Sequence, residues 1–178
     1  MSKIRGVSPG EMSAFLTEAS RLNIREIIES GRGRDASSTI MLADYARRTG
    51  ARIVSIDMEQ RLWNSIFSRW KMLGRRRFVH WIVGDATHEI PKLLPRITGP
   101  SALFLDGPKG RVAITLLRQS IDQCHHIKLI GLHNADAGTE WGLDFQAAFP
   151  SVQYCDRLAY AAVNEKPDES ERGQIGRG

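Results

Sequence analysis

The chain has 178 residues, of which 42% are hydrophobic and 25% are charged, and its 25 Lys and Arg against 20 Asp and Glu give a formal net charge of +5. Its length suits one folded domain, and its composition excludes wholesale disorder. No apolar run approaches the roughly 20 residues of a membrane span, and the N-terminus lacks the apolar core of a signal peptide. The sequence therefore predicts a cytoplasmic globular protein without a membrane partner, and it makes no prediction of oligomeric state.

Short β-like runs alternate with helical patterns along the chain, which is typical of a parallel α/β sheet. Apolar residues recur at helical spacing between Pro9 and Arg21, so an amphipathic helix is predicted before the first strand. Ser37, Ser38 or Thr39 is expected to cap the helix that follows that strand. In chain order, the predicted strands are 24–29, 51–57, 78–83, 101–105 and 127–132, and the predicted later helices are about 37–48, 59–73, a short segment after 86, 111–124 and 139–149.

The end of the folded part predicts an antiparallel hairpin. The runs 152–155 and 158–163 are separated by only two residues, which is too short for the crossover that parallel strands need. The expected fold is therefore a Rossmann-like, doubly wound α/β sheet of seven strands, mostly parallel with a C-terminal antiparallel hairpin and helices on both faces. It is expected to form a single domain, 1–163, with a leading helix, followed by a solvated tail, 164–178.

The segment after the first strand, Glu29–Ala36, reads ESGRGRDA. Glycines at a strand-to-helix turn let a ligand approach the backbone, and the helix N-terminus supplies free N–H groups. Taken as GxGxxA, with Asp57 about 20 residues farther on, the segment fits a dinucleotide-binding loop. Taken from Glu29, it is an acid followed by two spaced glycines. That second pattern resembles the first motif of class I S-adenosylmethionine-dependent methyltransferases.

Three features favour the methyltransferase. Glu29 precedes the first glycine by two residues, where it would repel a pyrophosphate but attract a methionine ammonium group. The terminal hairpin matches the seventh strand of that family, which enters the sheet antiparallel beside the fifth, and the length suits the family's minimal domain. One departure is Asp35, which stands where many members carry a third glycine and which adds charge near the cofactor loop.

The resemblance, which covers about residues 24–163, implies an acid at each of four strand ends around a bound S-adenosylmethionine. Glu29 would hold the methionine ammonium group directly or through water, and Asp57 would accept hydrogen bonds from both ribose hydroxyls. Asp85 would meet the adenine amino group, and Asp106 would face the methylsulfonium end or the acceptor. The cofactor contacts implied in this way are Glu29, Gly31, Gly33, Ser37, Asp57, Asp85 and Ala86.

The spacing Asp106-x-x-Lys109 is similar to that of O-methyltransferases of the catechol and caffeoyl-CoA type. In those enzymes the Asp binds a divalent metal, the Lys is the general base, and an Asp-Asn pair after the next strand supplies further ligands. This chain has His133 and Asn134 at that place. A metal site of Asp106, His133 and Asn134 is chemically feasible, although imidazole weakens the binding of Mg²⁺, which prefers oxygen. The alternative is that these side chains line the acceptor pocket.

The predicted function is therefore methyl transfer from S-adenosylmethionine to a hydroxyl of a small molecule or a sugar-like acceptor. The candidate catalytic residues are Asp106, Lys109 and His133, and the last two are candidate bases. Two alternatives stay open. One is a nicotinamide- or nucleotide-binding Rossmann domain, and the other is a non-catalytic module that keeps the fold and docks a partner.

Two features of the segment 59–77 have structural as well as functional interpretations. Trp63, Phe67 and Trp70 recur at helical spacing and are predicted to pack on the sheet as core. The basic run Arg75–Arg77 either ends a helix favourably, since cations suit a helix C-terminus, or contacts the phosphates of a nucleic acid. No recognised RNA-binding module accompanies it, so a small-molecule acceptor is favoured over a nucleic acid.

Overall fold

The computed structural model describes residues 6–32, 36–59 and 76–163. Within them every predicted strand and helix forms, with bounds that differ from the prediction by two residues or fewer. The predicted helix 59–73, apart from Glu59, and its Trp63, Phe67 and Trp70 stripe lie outside the described residues, as does the tail 164–178. The division into one domain and a solvated tail thus stays a prediction.

The strands are β1 (Glu26–Ser30), β2 (Arg52–Asp57), β3 (Val79–Val83), β4 (Ser101–Leu105), β5 (Ile127–His133), β6 (Gln153–Cys155) and β7 (Leu158–Ala162). The helices are α1 (Pro9–Arg21), α2 (Ser37–Thr49), α3 (Ala86–Leu93), α4 (Gly110–Gln123) and α5 (Glu140–Ala148), with short 3-10 helices at Arg76–Phe78 and Leu94–Arg96.

The strands form one seven-stranded sheet in the order β3-β2-β1-β4-β5-β7-β6. Neighbouring strands from β3 to β5 are parallel, whereas β7 lies antiparallel between β5 and β6. The Rossmann-like fold class and the C-terminal hairpin predicted from the sequence are confirmed. Because the chain runs outward from β1 in both directions, a crevice opens between the carboxyl ends of β1 and β4, where such sheets bind ligands.

Two apolar cores lie on the two faces of the sheet. Helices α1 and α2 cover one face, whose core includes Ile27 and Phe104, and α3, α4 and α5 cover the other, whose core includes Ile28. Side chains alternate between faces along a strand, so Glu29 shares the α1 and α2 face with Ile27. None of the described helices is long and apolar enough to cross a membrane.

The start of α2 differs from the prediction that Ser37, Ser38 or Thr39 caps it. Its N-cap is Ala36, in the left-handed region at φ 45°, and no side chain caps the helix. The hydroxyls of Ser38 and Thr39 donate to Glu29 on β1, and that of Ser37 donates to a backbone carbonyl of the N-terminal segment 3.4 Å away. The capping prediction is therefore wrong, because the strand beneath the helix offers two of these hydroxyls a carboxylate.

Candidate active site

The loops after β1 and β4 touch at the carboxyl edge of the sheet. Gly31 has φ 81°, and a Cβ built on it would lie 2.5 Å from the backbone nitrogen of Gly107. The backbone N–H of Asp106 donates to the carbonyl of Ser30 at 2.7 Å, and the Ser30 hydroxyl donates to the Gly107 carbonyl. Only glycine fits at position 31, because both its φ and the facing backbone exclude a side chain. The second motif glycine, Gly33, lies outside the described residues.

Glu29 is fully buried, and hydroxyl groups enclose its carboxylate. Its Oε1 accepts from Ser38, and its Oε2 accepts from Thr39 at 2.6 Å and from Ser55 at 2.7 Å. Burial raises the pKa of Glu29, while the three hydroxyls and the charge of Arg32 oppose that rise. The carboxylate is therefore tied to α2 and β2.

Arg32 was assigned no role from the sequence, yet only 2% of it is exposed. Its Nη1 donates to the carbonyl of Ser55 at 3.2 Å, and its guanidinium carbon lies 5.1 Å from the centre of the Trp81 ring. Burial lowers the pKa of Arg32, against the opposing negative charges of Asp57 and Glu29. A long basic side chain between two glycines of a ligand loop is the signal that could have identified it.

The acids after β2 and β3 lie at the same edge of the sheet as the loop after β1. Asp57 ends β2, and its Oδ1 accepts from the N–H of Glu59 at 2.9 Å. Asp85 is the N-cap of α3, which begins at Ala86, and its Oδ1 accepts from the Thr87 hydroxyl at 2.7 Å and the Thr87 N–H at 2.8 Å. These two hydrogen bonds lower the pKa of Asp85. Its helix-capping role is thus observed, and its contact with adenine stays a prediction.

The structure brings together the four residues predicted at the acceptor end. Oδ1 of Asp106 lies 2.7 Å from Nδ1 of His133 and 3.5 Å from Nδ2 of Asn134, and the Lys109 ammonium group donates to the same oxygen. Burial would raise the pKa of Asp106, but the hydrogen bond with His133 and the charge of Lys109 outweigh it and lower that pKa. The Lys109 side chain is 37% exposed, against 1% for His133. Of the two candidate bases, Lys109 therefore has the more accessible side chain.

The donor atoms considered for a divalent metal bind one another. The Lys109 ammonium group, the His133 imidazole and the Asn134 amide all contact Oδ1 of Asp106. Within the described ranges, no group of three or more His, Cys, Asp or Glu side chains could hold a metal ion. Because the candidate ligands are engaged with one another and with Lys109, this geometry favours the interpretation of Asp106, His133 and Asn134 as acceptor-pocket residues.

A second buried carboxylate, from the leading helix α1, lies on the other side of His133. Oε1 of Glu11 is 3.7 Å from Nε2 of His133, and it accepts the backbone N–H of Arg157 at 3.0 Å. Its Oε2 accepts from the Ser8 N–H at 2.6 Å, which completes a capping box at the start of α1. His133 therefore stands between Glu11 and Asp106. No local pattern indicates this contact, because the two segments are far apart in the chain.

Glu11 makes the stability depend on pH in the acidic range. Burial would raise the pKa of Glu11, but hydrogen bonds from Ser8 and Arg157 and the charge of His133 hold it below the ordinary value of 4.5. The unfolded chain therefore binds more protons in acid, so this stabilisation is present above about pH 4.5 and is lost as the pH falls through the folded-state pKa. We expect Glu11→Gln to lower the free energy of unfolding by about 1 to 3 kcal/mol at neutral pH, with a difference from wild type that shrinks in acid.

Urea unfolding of both proteins across this pH range measures the effect. The control is Glu140→Gln, which removes a carboxylate on α5 whose side chain is 73% exposed. It corrects for the change in net charge without touching the buried contacts. If the difference in free energy of unfolding between wild type and Glu11→Gln stayed constant down to about pH 3, the prediction would be wrong.

Trp141, which had no role in the sequence interpretation, lies beside the loop after β4. A Cβ built on Gly110 would lie 2.9 Å from its Nε1, so the indole packs directly on that glycine. Arg111 of α4 pairs at the surface with Asp144 at 3.0 Å and with Glu140 at 3.5 Å on α5. Trp141 is 37% exposed and lies at the surface beside the predicted acceptor end.

Comparison with known proteins finds similarity in structure. No family model and no curated protein matches the chain. The O-methyltransferase TomG from Streptomyces achromogenes, involved in tomaymycin synthesis and solved with S-adenosylmethionine, is 21% identical over 90% of this chain and 82% of TomG, with a TM-score of 0.70. An O-methyltransferase from Bacillus cereus, solved with S-adenosylhomocysteine, is 17% identical over 91% of this chain and 84% of that one, with a TM-score of 0.67.

A third similar structure is an RNA methyltransferase from Salinibacter ruber in complex with S-adenosylhomocysteine. It is 16% identical over 92% of this chain and 97% of that one, with a TM-score of 0.63. The three matches cover 90 to 92% of this chain, whose strand order places β7 antiparallel beside β5, as the resemblance implies. The chain therefore has the fold of the class I S-adenosylmethionine-dependent methyltransferase family.

Proposed function

We propose that the chain binds S-adenosylmethionine at the carboxyl edge of its sheet and transfers the methyl group to a hydroxyl of a small-molecule or sugar-like acceptor. The observation that carries the proposal is the contact between the loops after β1 and β4, with Asp57, Asp85 and Asp106 at ends of strands along the same edge. Doubly wound sheets bind their ligands at this place. The neighbours solved with S-adenosylmethionine or its demethylated product support the cofactor assignment.

The adenosine is proposed to lie over the ends of β2 and β3. Two ribose hydroxyls need an acceptor with two oxygens, which the Asp57 carboxylate supplies at the end of β2. Among the described residues, Met58 and Val83, which are 73% and 49% exposed, are apolar groups available to an adenine ring there. Asp85 caps α3 with one carboxylate oxygen and is proposed to meet the adenine amino group with the other.

At the acceptor end, the protein has to align an oxygen with the methyl carbon and take up the hydroxyl proton. The cofactor supplies a methyl group that its sulfonium already activates. We assign the hydroxyl proton to Nζ of Lys109 in its neutral amine form, which requires the ammonium group seen beside Asp106 to release one proton to solvent first. The Lys109 side chain is accessible for this, whereas both ring nitrogens of His133 are directed at carboxylates. Asp106 holds the Lys109 side chain beside the crevice, and His133 orients Asp106.

Calorimetry with S-adenosylhomocysteine tests the cofactor assignment. We expect the wild type to bind it more tightly than NAD. Asp57→Ala should weaken that binding by about 1 to 3 kcal/mol, because the ribose hydroxyls lose their acceptor in a partly enclosed site. The control Asp44→Asn, in the middle of α2, should bind as the wild type does. Tighter binding of NAD would favour the nicotinamide alternative, and binding of neither ligand would favour the docking module.

An RNA acceptor is a second candidate, because the match to the RNA methyltransferase covers 97% of that chain. Of the basic run, Arg75 lies outside the described residues, and the guanidinium carbon of Arg77 lies 4.9 Å from the centre of the Phe78 ring. Transfer of a labelled methyl group to RNA, with an activity that falls steeply with added salt, would favour this candidate. Transfer to a small-molecule fraction alone would exclude it.

A further inference from the structure

Glu29 belongs to a row of side chains that crosses three strands of the sheet. The strand register pairs Glu29 with Ser55 on β2, and Ser55 with Trp81 on β3. From the loop after β1, the Arg32 side chain extends across this row to the Ser55 carbonyl and the Trp81 ring. Glu29 has an exposure of 0%, and Arg32, which crosses this row, belongs to the loop that follows the strand of Glu29.

The hydrogen bonds of Glu29 join the segments that frame the proposed cofactor loop. Ser38 and Thr39 belong to the first turn of α2, and Ser55 belongs to β2. A buried carboxylate with three hydroxyl donors and a neighbouring guanidinium charge is a satisfied group. A ligand ammonium group could reach it only by displacing these donors or by opening the loop.

On the basis of the proposed function, we propose that Glu29 and Arg32 are positioning residues. They fix the beginning of the loop after β1 and the first turn of α2 in the shape that receives the adenosine and the sulfur, and Glu29 makes no contact with the methionine ammonium group. This differs from the role that the family resemblance implies for Glu29. Glu29 and Arg32 act through Gly31, which adjoins Arg32 and packs against the backbone of Gly107.

Two ligands distinguish the two roles of Glu29. S-adenosylhomocysteine carries the ammonium group, whereas 5′-methylthioadenosine keeps the adenosine and the sulfur but lacks the amino acid. Glu29→Gln and Arg32→Met should each weaken the binding of both ligands by the same factor, about tenfold, which corresponds to about 1.4 kcal/mol. Each substitution removes one of two buried opposite charges and reduces the compensation of the other, which disturbs the loop that both ligands are proposed to contact.

The matched control is Glu26→Gln on the same strand. Glu26 faces Arg52 at 3.7 Å, and the side chain of that arginine is 59% exposed, so this change should alter the affinity of neither ligand. Dissociation constants are measured well below the melting temperature of each variant, where a loss of stability alone leaves affinity unchanged. Thr39→Val, which removes one hydroxyl donor and keeps the carboxylate, serves as a second variant should Glu29→Gln fail to fold.

Equal weakening of both ligands supports the proposal. Selective loss of S-adenosylhomocysteine binding in Glu29→Gln would overturn it, because that result reports a direct contact with the amino acid part. Unchanged affinity for both ligands in the folded variants would also overturn it. If the wild type binds neither ligand, the proposed function itself fails, so the two failures are distinguishable.

Discussion

Gly31→Ala is expected to lower the free energy of unfolding by about 4 kcal/mol and to abolish the binding of S-adenosylhomocysteine. Left-handed backbone costs an L-residue about 1 to 2 kcal/mol, and overpacking costs about 1 to 3 kcal/mol more. Gly31 has φ 81°, and the added Cβ would lie 2.5 Å from the nitrogen of Gly107 and 2.7 Å from the carbonyl carbon of Asp106. Relief of this contact requires the loops after β1 and β4 to separate, which removes the surface where the cofactor is proposed to bind.

Gly138→Ala is the control that separates the two costs. Gly138 also has φ 81°, but a Cβ built on it meets nothing within 4 Å. Gly138→Ala should therefore lower the free energy of unfolding only by the cost of the left-handed backbone, about 1 to 2 kcal/mol, and should keep its ligand binding. Urea unfolding and calorimetry of both variants measure the difference. Equal losses of stability in the two variants would show that the close contact between the loops adds nothing to the cost of the substitution at position 31.

Phe15→Ala is expected to lower the free energy of unfolding by about 3 to 5 kcal/mol. Phe15 is fully buried on α1, and its ring lies 5.1 Å from that of Phe104 in an edge-to-face arrangement. A Cβ built on Gly131 would lie 2.9 Å from the same ring, so the glycine on β5 makes room for it. Truncation leaves a cavity between α1 and the middle of the sheet that the glycine cannot fill.

Thr17→Ala, on the exposed side of the same helix, provides the comparison for Phe15→Ala. It should change the free energy of unfolding by no more than about 0.5 kcal/mol, as surface substitutions usually do. Chemical denaturation followed by circular dichroism measures both variants. A loss below about 1 kcal/mol for Phe15→Ala would mean that the leading helix is not part of the folded core.

The strands, the hairpin and the acids at the strand ends are properties that the sequence by itself determined. The run Ser101–Leu105 forms β4 with the predicted bounds, and all five of its residues are buried. The two-residue gap between β6 and β7 permits only an antiparallel connection. The meeting of Asp106 and His133 was also predictable, because they follow or end neighbouring parallel strands whose carboxyl ends lie at one edge. These features depend on short-range pattern and on the connection rules of parallel sheets.

Only the tertiary structure decided which acids are enclosed and which are accessible. Glu29 and Asp57 are alike in sequence, as acids at the ends of β-like runs, but Glu29 is fully buried whereas Asp57 stays partly exposed. Thr39 satisfies the rule for a helix cap and instead donates to Glu29, and Glu11 of the leading helix reaches His133. Periodicity and motif spacing report contacts within a segment. Enclosure depends on side chains from distant segments, which only the packing of helices on the sheet brings together.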